Sequence, residues 1–183
     1  MIQPGPGILL IAEPFLKDPN FMRTVVLLCD HQEEGSFGFV LNKPYNHTLD
    51  ELMNGVGELK LPVFYGGPVQ MDTLHFLHQY PDQIPGSFEI LDGICWGGDF
   101  DTAIALLRSG EIDQNRIRFF IGYSGWGNGQ LAGELTEKSW LMAAANRRIV
   151  FHAEYLEIWK ASLRLLGEEF ERMANYPIDP QLN

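Results

Sequence analysis

The chain has 183 residues, 45% of them hydrophobic and 12% aromatic, which is enough apolar material for one packed domain and too much for a disordered chain. Thirteen basic against twenty-four acidic side chains leave a formal net charge of −11, which speaks against a protein built to coat nucleic acid or an anionic membrane. The excess is uneven, with 4 basic and 13 acidic side chains in residues 1–100 and 9 and 11 in residues 101–183.

Met1–Gly7 carries no basic segment, and the apolar run Ile8–Ala12 spans five residues. The longest such run, Trp140–Ala145, has six, against the about 20 that a membrane helix needs. A soluble cytoplasmic protein is the expectation. Ile8–Ala12, closed by Glu13-Pro14, reads as a strand buried on both faces. Arg23–His31 has the same character, and Ser36–Asn42 alternates Phe37, Phe39 and Leu41 with Gly38 and Val40. The short link between them contains Gly35, which predicts an antiparallel hairpin. Gly38 within a strand predicts a bulge or a second backbone passing close by. Lys43-Pro44 ends the ladder.

Thr48-Leu-Asp-Glu51 has capping-box spacing, which opens a short helix through Met53 that Gly55 and Gly57 end. Val63–Gly67 and Thr73–Gln79 are read as strands, the second with Leu74, Phe76 and His78 facing one way and His75 and Leu77 the other. Ser87–Trp96 is extended. Asp99 starts a helix whose Phe100, Ala103, Ile104 and Leu107 share a face, and Gly110 stops it. Arg116–Tyr123 is a strand with Arg116, Arg118 and Phe120 on one side. The glycine-rich Gly122–Gly129 then leads into a helix from Gln130 towards Leu135. Trp140–Ala145 and Arg148–Phe151 are read as extended. Leu156, Trp159, Leu163, Leu166, Phe170 and Met173 recur at steps of three and four, which predicts an amphipathic helix broken near Gly167. Tyr176–Asn183 is an irregular tail. The whole, residues 1–183, reads as one α+β domain with a mixed, largely antiparallel sheet.

The chemical motifs are each incomplete. His75 and His78 fall on opposite faces of a strand, so they do not form a metal pair. Gly122-Tyr-Ser-Gly-Trp126 lacks the G-x-S-x-G spacing of a nucleophile elbow and puts a bulky indole at the turn. Gly125–Gln130 has neither the Lys-Ser/Thr of a phosphate loop nor dinucleotide-fingerprint spacing, and is read as a tight turn packed around Trp126. Cys29 and Cys95, without a Cys-x-x-Cys partner, are small buried hydrophobes. Arg116 and Arg118 are possible anion contacts if their strand runs beside the glycine loop. No helix-turn-helix, zinc finger or ribonucleoprotein motif is present.

Three ordered segments carry a resemblance. Gly7-Ile-Leu-Leu-Ile-Ala-Glu-Pro14, with Phe21-x-Arg-Thr-Val-Val-Leu-Leu-x-x-His31 and Gly38-Phe-Val-Leu-Asn-Lys-Pro44, resembles the N-terminal signature of the bacterial YqgE/AlgH family. Tyr65-Gly-Gly-Pro-Val69 is similar to its central motif. Gly122-Tyr-Ser-Gly-Trp-Gly-x-Gly-Gln-Leu131, with Glu134 and Trp140, is similar to its third. Ala132 departs from the Glu that many members carry directly after Gly-Gln-Leu. The resemblance implies a sheet curled into a pseudo-barrel with helices packed against it, and supplies no established activity, cofactor or catalytic residue. Some members bear a transcriptional-regulator label, which the acidic composition of this chain does not support.

The expected function is a non-enzymatic regulatory or interaction protein that needs no cofactor or metal and whose partner is a protein or small molecule. Its surface would gather Asn42, Lys43 and Pro44, Gly66, Gly67 and Pro68, and Gly125, Trp126, Gly129 and Gln130. Trp126 would be the aromatic anchor, with Asn42 and Gln130 as hydrogen-bonding groups. One alternative is a small-molecule or nucleotide-binding enzyme whose glycine-loop amides hold an anion neutralised by Arg116 or Arg118. The other is direct DNA binding.

Overall fold

A computed structural model describes residues 1–177 of the chain, so the tail expected from Tyr176 lies mostly outside the described residues. The frame is one ten-stranded sheet. Its main path runs through β10 (Trp140–Ala144), β1 (Ile8–Ala12), β2 (Val25–Gln32), β3 (Gly35–Val40), β9 (Ile117–Gly127), β6 (Val69–His78), β8 (Ile94–Trp96) and β7 (Phe88–Leu91). Off this path, β4 (Pro44–Thr48) pairs with β5 (Pro62–Tyr65), and β5 runs parallel to β9; the other pairings are antiparallel. Ala143 near one end of the path and Ile90 and Ile94 near the other share a core with Phe39 and Phe120 of the middle strands, so the sheet curls into a half-barrel.

The hairpin of β2 and β3 forms as the alternation predicts, with a register shift between Leu28 and Asp30. Gly38 meets the expected close backbone: a Cβ there would stand 2.2 Å from the Leu27 carbonyl oxygen. α2 (Phe100–Ser109) begins at Asp99, whose carboxylate accepts from the Thr102 amide at 3.2 Å, and ends at the left-handed Gly110. Its Ala103, Ile104 and Leu107 are buried against the sheet, the Ile104 and Leu107 side chains contributing about 1.5–3 kcal/mol each.

Three local readings are corrected. Thr48 stands at the N-cap of α1 (Leu49–Leu52) without capping it, because its hydroxyl donates to the Asp50 carboxylate at 2.5 Å instead. Glu51, which would complete the box, is held by His47 at 2.8 Å. Arg148–Phe151 is a single turn of helix, α4 (Arg147–Val150), because Asn146 accepts the Ile149 amide at 2.9 Å and buries Ile149 and Val150. The glycine-rich stretch is strand as far as Gly127, since β9 is paired by β3 through Gly125 and Gly127. As the spacing predicts, the C-terminal stripe is helical and breaks at Gly167, into α5 (Ile158–Arg164) and α6 (Glu168–Met173). Trp159 and Leu163 are buried, and the Trp159 indole donates to the Ala12 carbonyl at 2.9 Å; Leu156 is left 73% exposed.

His78 is wholly buried where β6 meets β8. Its Nδ1 accepts the Tyr80 amide at 3.0 Å and its Nε2 lies 2.8 Å from the Gly97 carbonyl, which fixes a neutral ring with the proton on Nε2. Burial pushes its pKa below the ordinary 6.5, against the opposing Gly97 bond. The unfolded chain therefore takes up this proton at a higher pH than the folded one. The contribution is intact above about pH 6.5 and is lost as pH falls below it through the folded value. Urea midpoints are expected to fall from pH 7 to pH 5, with the His78 ring taking up its proton below the ordinary 6.5 by NMR. A His78 resonance that titrates at or above 6.5 contradicts this.

Candidate functional site

The Gly66–Pro68 segment touches both of the other expected segments, but several of the expected surface residues are buried or engaged within the fold. The Asn42 side chain accepts the Val25 amide at 3.0 Å and donates to the Arg23 carbonyl at 2.9 Å, clamping the end of β3 to β2. Lys43 donates to the Pro19 carbonyl at 3.2 Å and lies 5.0 Å from the Tyr65 ring centroid. The Tyr65 amide donates to the Lys43 carbonyl at 2.7 Å, so the Asn42–Pro44 and Gly66–Pro68 segments do meet. Gly66 and Gly67 are buried against β9, with the Gly66 carbonyl accepting from Val40 and Ser124, while Pro44 and Pro68 are exposed. Gly125 and Trp126 pair with Phe37 and Ser36 towards the other end of β3 from Asn42, whereas Gly66 and Gly67 pack on Tyr123 and Ser124, right beside Gly125.

Trp126 is not an exposed anchor. It is 5% exposed, packed on Phe21 and edge-on to Trp140, in a core with Leu10, Val26 and Leu28. Its Nε1 donates to Glu134 Oε2 at 2.7 Å, and Trp140 Nε1 donates to the same oxygen at 2.8 Å. Gln130 completes the arrangement, accepting the Gly127 amide at 3.0 Å and donating to Glu134 at 3.3 Å. Gly129 is the left-handed residue before α3 (Gln130–Thr136), which carries Glu134; Ala132 is exposed on that helix. The third motif is therefore a lock on two indoles.

The arginines do not neutralise the glycine loop. Arg116 is exposed in a 3₁₀ turn, and Arg118 sits at the start of β9, about 30 Å of extended chain from Gly127. Ser124 is buried with its hydroxyl donating to Gly66, and burial pushes the thiols of Cys29 and Cys95 upward. These three are structural groups and not poised nucleophiles. Among the described residues no cluster of three His, Cys, Asp or Glu side chains could hold a metal. No helix there is long and apolar enough to cross a membrane.

The open chemistry lies on the other side of β9. Phe37 of β3, His75 of β6, Trp96 of β8 and Tyr123 of β9 are half-buried and pack edge to face. Their centroids are separated by 4.9 Å for Phe37–Trp96 and 6.0 Å for both Phe37–Tyr123 and His75–Tyr123. Buried Phe39 lies beneath Phe37 and His75. The four rings line a groove of about 570 Å³, and a cleft of about 640 Å³ adjoins it at His75 and Trp96, which line both. Asp30 lies in the groove and Asp72 in the adjoining cleft, and neither lining includes Lys or Arg. Burial lowers the His75 pKa, so its ring is neutral at pH 7. Met71 at 39% and Phe88 at 54% exposure extend the apolar surface on either side.

Of the predicted residues, Gly125 and the edge of Trp126 line this groove. Sequence reasoning missed Phe37, His75, Trp96 and Tyr123 as a group. The alternation of β3 and β6 put Phe37 and His75 on definite faces, but only the pairing order brings Trp96 of the short β8 beside them.

A family model described as AlgH-like (DUF179) matches residues 9–171. A UPF0301 protein of Chlorobium limicola is 47% identical over 178 residues, covering 97% of this chain and 95% of its own. The UPF0301 protein CT0663 of Chlorobaculum tepidum is 46% identical with the same coverage. The solution structure of the AlgH protein from Pseudomonas aeruginosa matches with a TM-score of 0.73 at 28% identity, covering 97% of this chain and 98% of that one. A Corynebacterium diphtheriae protein, at 20% identity, shares the fold with a TM-score of 0.74 over 96% of this chain and 94% of its own.

Proposed function

This chain belongs to the AlgH-like family, and from that premise we propose that it is a non-enzymatic interaction protein of regulatory type whose working face is the aromatic groove of β3, β6, β8 and β9. The observation that carries this reading is the groove's composition: four half-buried rings and Asp30, with Asp72 in the adjoining cleft and no Lys or Arg in either lining. Aromatic rings in a concave, partly dry surface supply much of the binding energy of interfaces. The carboxylates select a partner that presents an apolar or aromatic group next to positive charge. Against the nucleotide-enzyme alternative, the Gly127 amide and the Gln130 side chain are engaged with each other, and the expected arginines lie elsewhere.

The test compares native capture by wild type and by Phe88→Ser, a rim change that leaves the core in place. A partner held by wild type is expected to be held several-fold more weakly by Phe88→Ser, as for an aromatic contact at the edge of an interface. Asp30→Asn should weaken the same partner and reduce the salt dependence of its binding. Equal capture by all three proteins at matched stability overturns the reading.

A further inference from the structure

We propose that a second cleft, between the starts of β5 and β9, binds a small organic anion, with its carboxylate or phosphate held by Arg118 and Lys60 and its apolar body against Tyr45, Phe64 and Tyr155. This cleft measures about 470 Å³, within the range of small-molecule sites. Its lining contains two cations and no carboxylate, in a protein whose net charge is −11. Arg118 and Lys60 are therefore concentrated against the overall charge of the molecule, the reverse of the groove on the other side of β9.

Arg118 is the centre of the argument. It is half-buried on β9, with its guanidinium carbon 4.8 Å from the Phe64 ring centroid. Its Nη2 donates to the His152 carbonyl at 2.8 Å and its Nη1 to the Val150 carbonyl at 3.4 Å, both at the end of α4. Two of the five N–H donors are thereby used, and the acceptors bring only the partial negative charge of a helix end. Among the described residues the ion pairs are His47 with Glu51 and Arg164 with Glu171, so no carboxylate there compensates Arg118. Removal from water pushes its pKa down to about 10, the mark of a charge the protein itself leaves unbalanced. A desolvated guanidinium of this kind is stabilised by an oxyanion, which it binds through paired N–H groups. Exposed Lys60 adds a second positive charge at the mouth, while Gln114 and Asn115 offer amides. A purely structural role, bracing β9 against α4, accounts for the two carbonyl bonds but not for a carboxylate-free lining with two cations.

Phenyl phosphate, benzoate and inorganic phosphate are titrated, at constant ionic strength, into wild type and into Lys60→Gln, Arg118→Gln and Arg116→Gln, with amide NMR shifts and melting temperature as readouts. Wild type is expected to give saturable shifts on Arg118, Phe64 and Tyr155 with phenyl phosphate or benzoate, and weaker ones with inorganic phosphate, which lacks the apolar body. Lys60→Gln should weaken binding about two- to five-fold. Arg118→Gln should weaken it more than about ten-fold, and exposed Arg116→Gln should leave it unchanged. If Arg118→Gln fails to fold, Lys60→Gln against Arg116→Gln still decides the matter. Absence of saturable shifts in wild type, or equal affinities in those two variants, overturns the proposal without touching the aromatic groove.

Discussion

Glu134→Ala is expected to lower the stability of the fold by about 2–5 kcal/mol, because one carboxylate oxygen accepts both the Trp126 and the Trp140 indole N–H groups. Both rings are almost fully buried, so neither donor can turn to water once the acceptor is gone. Each orphaned donor costs about 1–3 kcal/mol. Glu134→Gln keeps a carbonyl acceptor in the same place and should be milder. The decisive comparison is a double-mutant cycle in urea: in a Trp126→Phe, Trp140→Phe background, Glu134→Ala should cost about 1 kcal/mol or less, because no donors remain to be orphaned. A cost under about 1 kcal/mol in the wild-type background would mean that the indoles are not held this way.

Gly67→Ala should be more severe still. Gly67 has a φ of +155°, and a Cβ there would stand 2.2 Å from the carbonyl carbon and oxygen of Tyr123. Those are backbone atoms of the central strand, so relief requires β9 itself to move. A loss of about 3 kcal/mol or more is expected, above the usual range for overpacking. Gly125 is the control from the same family motifs: a Cβ would meet the Tyr123 ring at 3.6 Å, Val69 at 3.7 Å and the Ser36 carbonyl oxygen at 3.9 Å, all ordinary contacts. Gly125→Ala should fold with near wild-type stability while narrowing the aromatic groove it lines. If Gly67→Ala unfolds at the same urea concentration as wild type, the close packing of this segment on β9 is contradicted.

These two glycines mark how much was legible in the sequence. Period-2 alternation located β3 and β6, continuous apolar runs located β1 and β2, and the Asp99–Gly110 punctuation delimited α2, because each is a local signal that burial reinforces. The β-branched Ile149 and Val150 favour extended chain at Arg148–Phe151, and the Asn146 cap overrides them to give one turn of helix. The candidate site was harder to read. Trp126 and Gln130 stand in a motif that looks like a loop for recognition, yet β9 continues through it and turns the indole inward onto Glu134. The groove itself joins residues from positions 37, 75, 96 and 123, which only the strand order brings side by side. Arg118 is a parallel case: spacing along one strand put it with Arg116, whereas parallel pairing with β5 gives it Phe64 and a cleft of its own.

The groove's role is tested most directly by NMR of the wild-type protein with whatever partner it captures more strongly than Phe88→Ser does. Amide and indole signals of Phe37, His75, Trp96 and Tyr123 should move, while the indole N–H signals of Trp126 and Trp140 stay in place. Perturbations gathered instead around Asn42–Pro44 or on exposed Leu156 and Leu165 would put the working face elsewhere on the molecule.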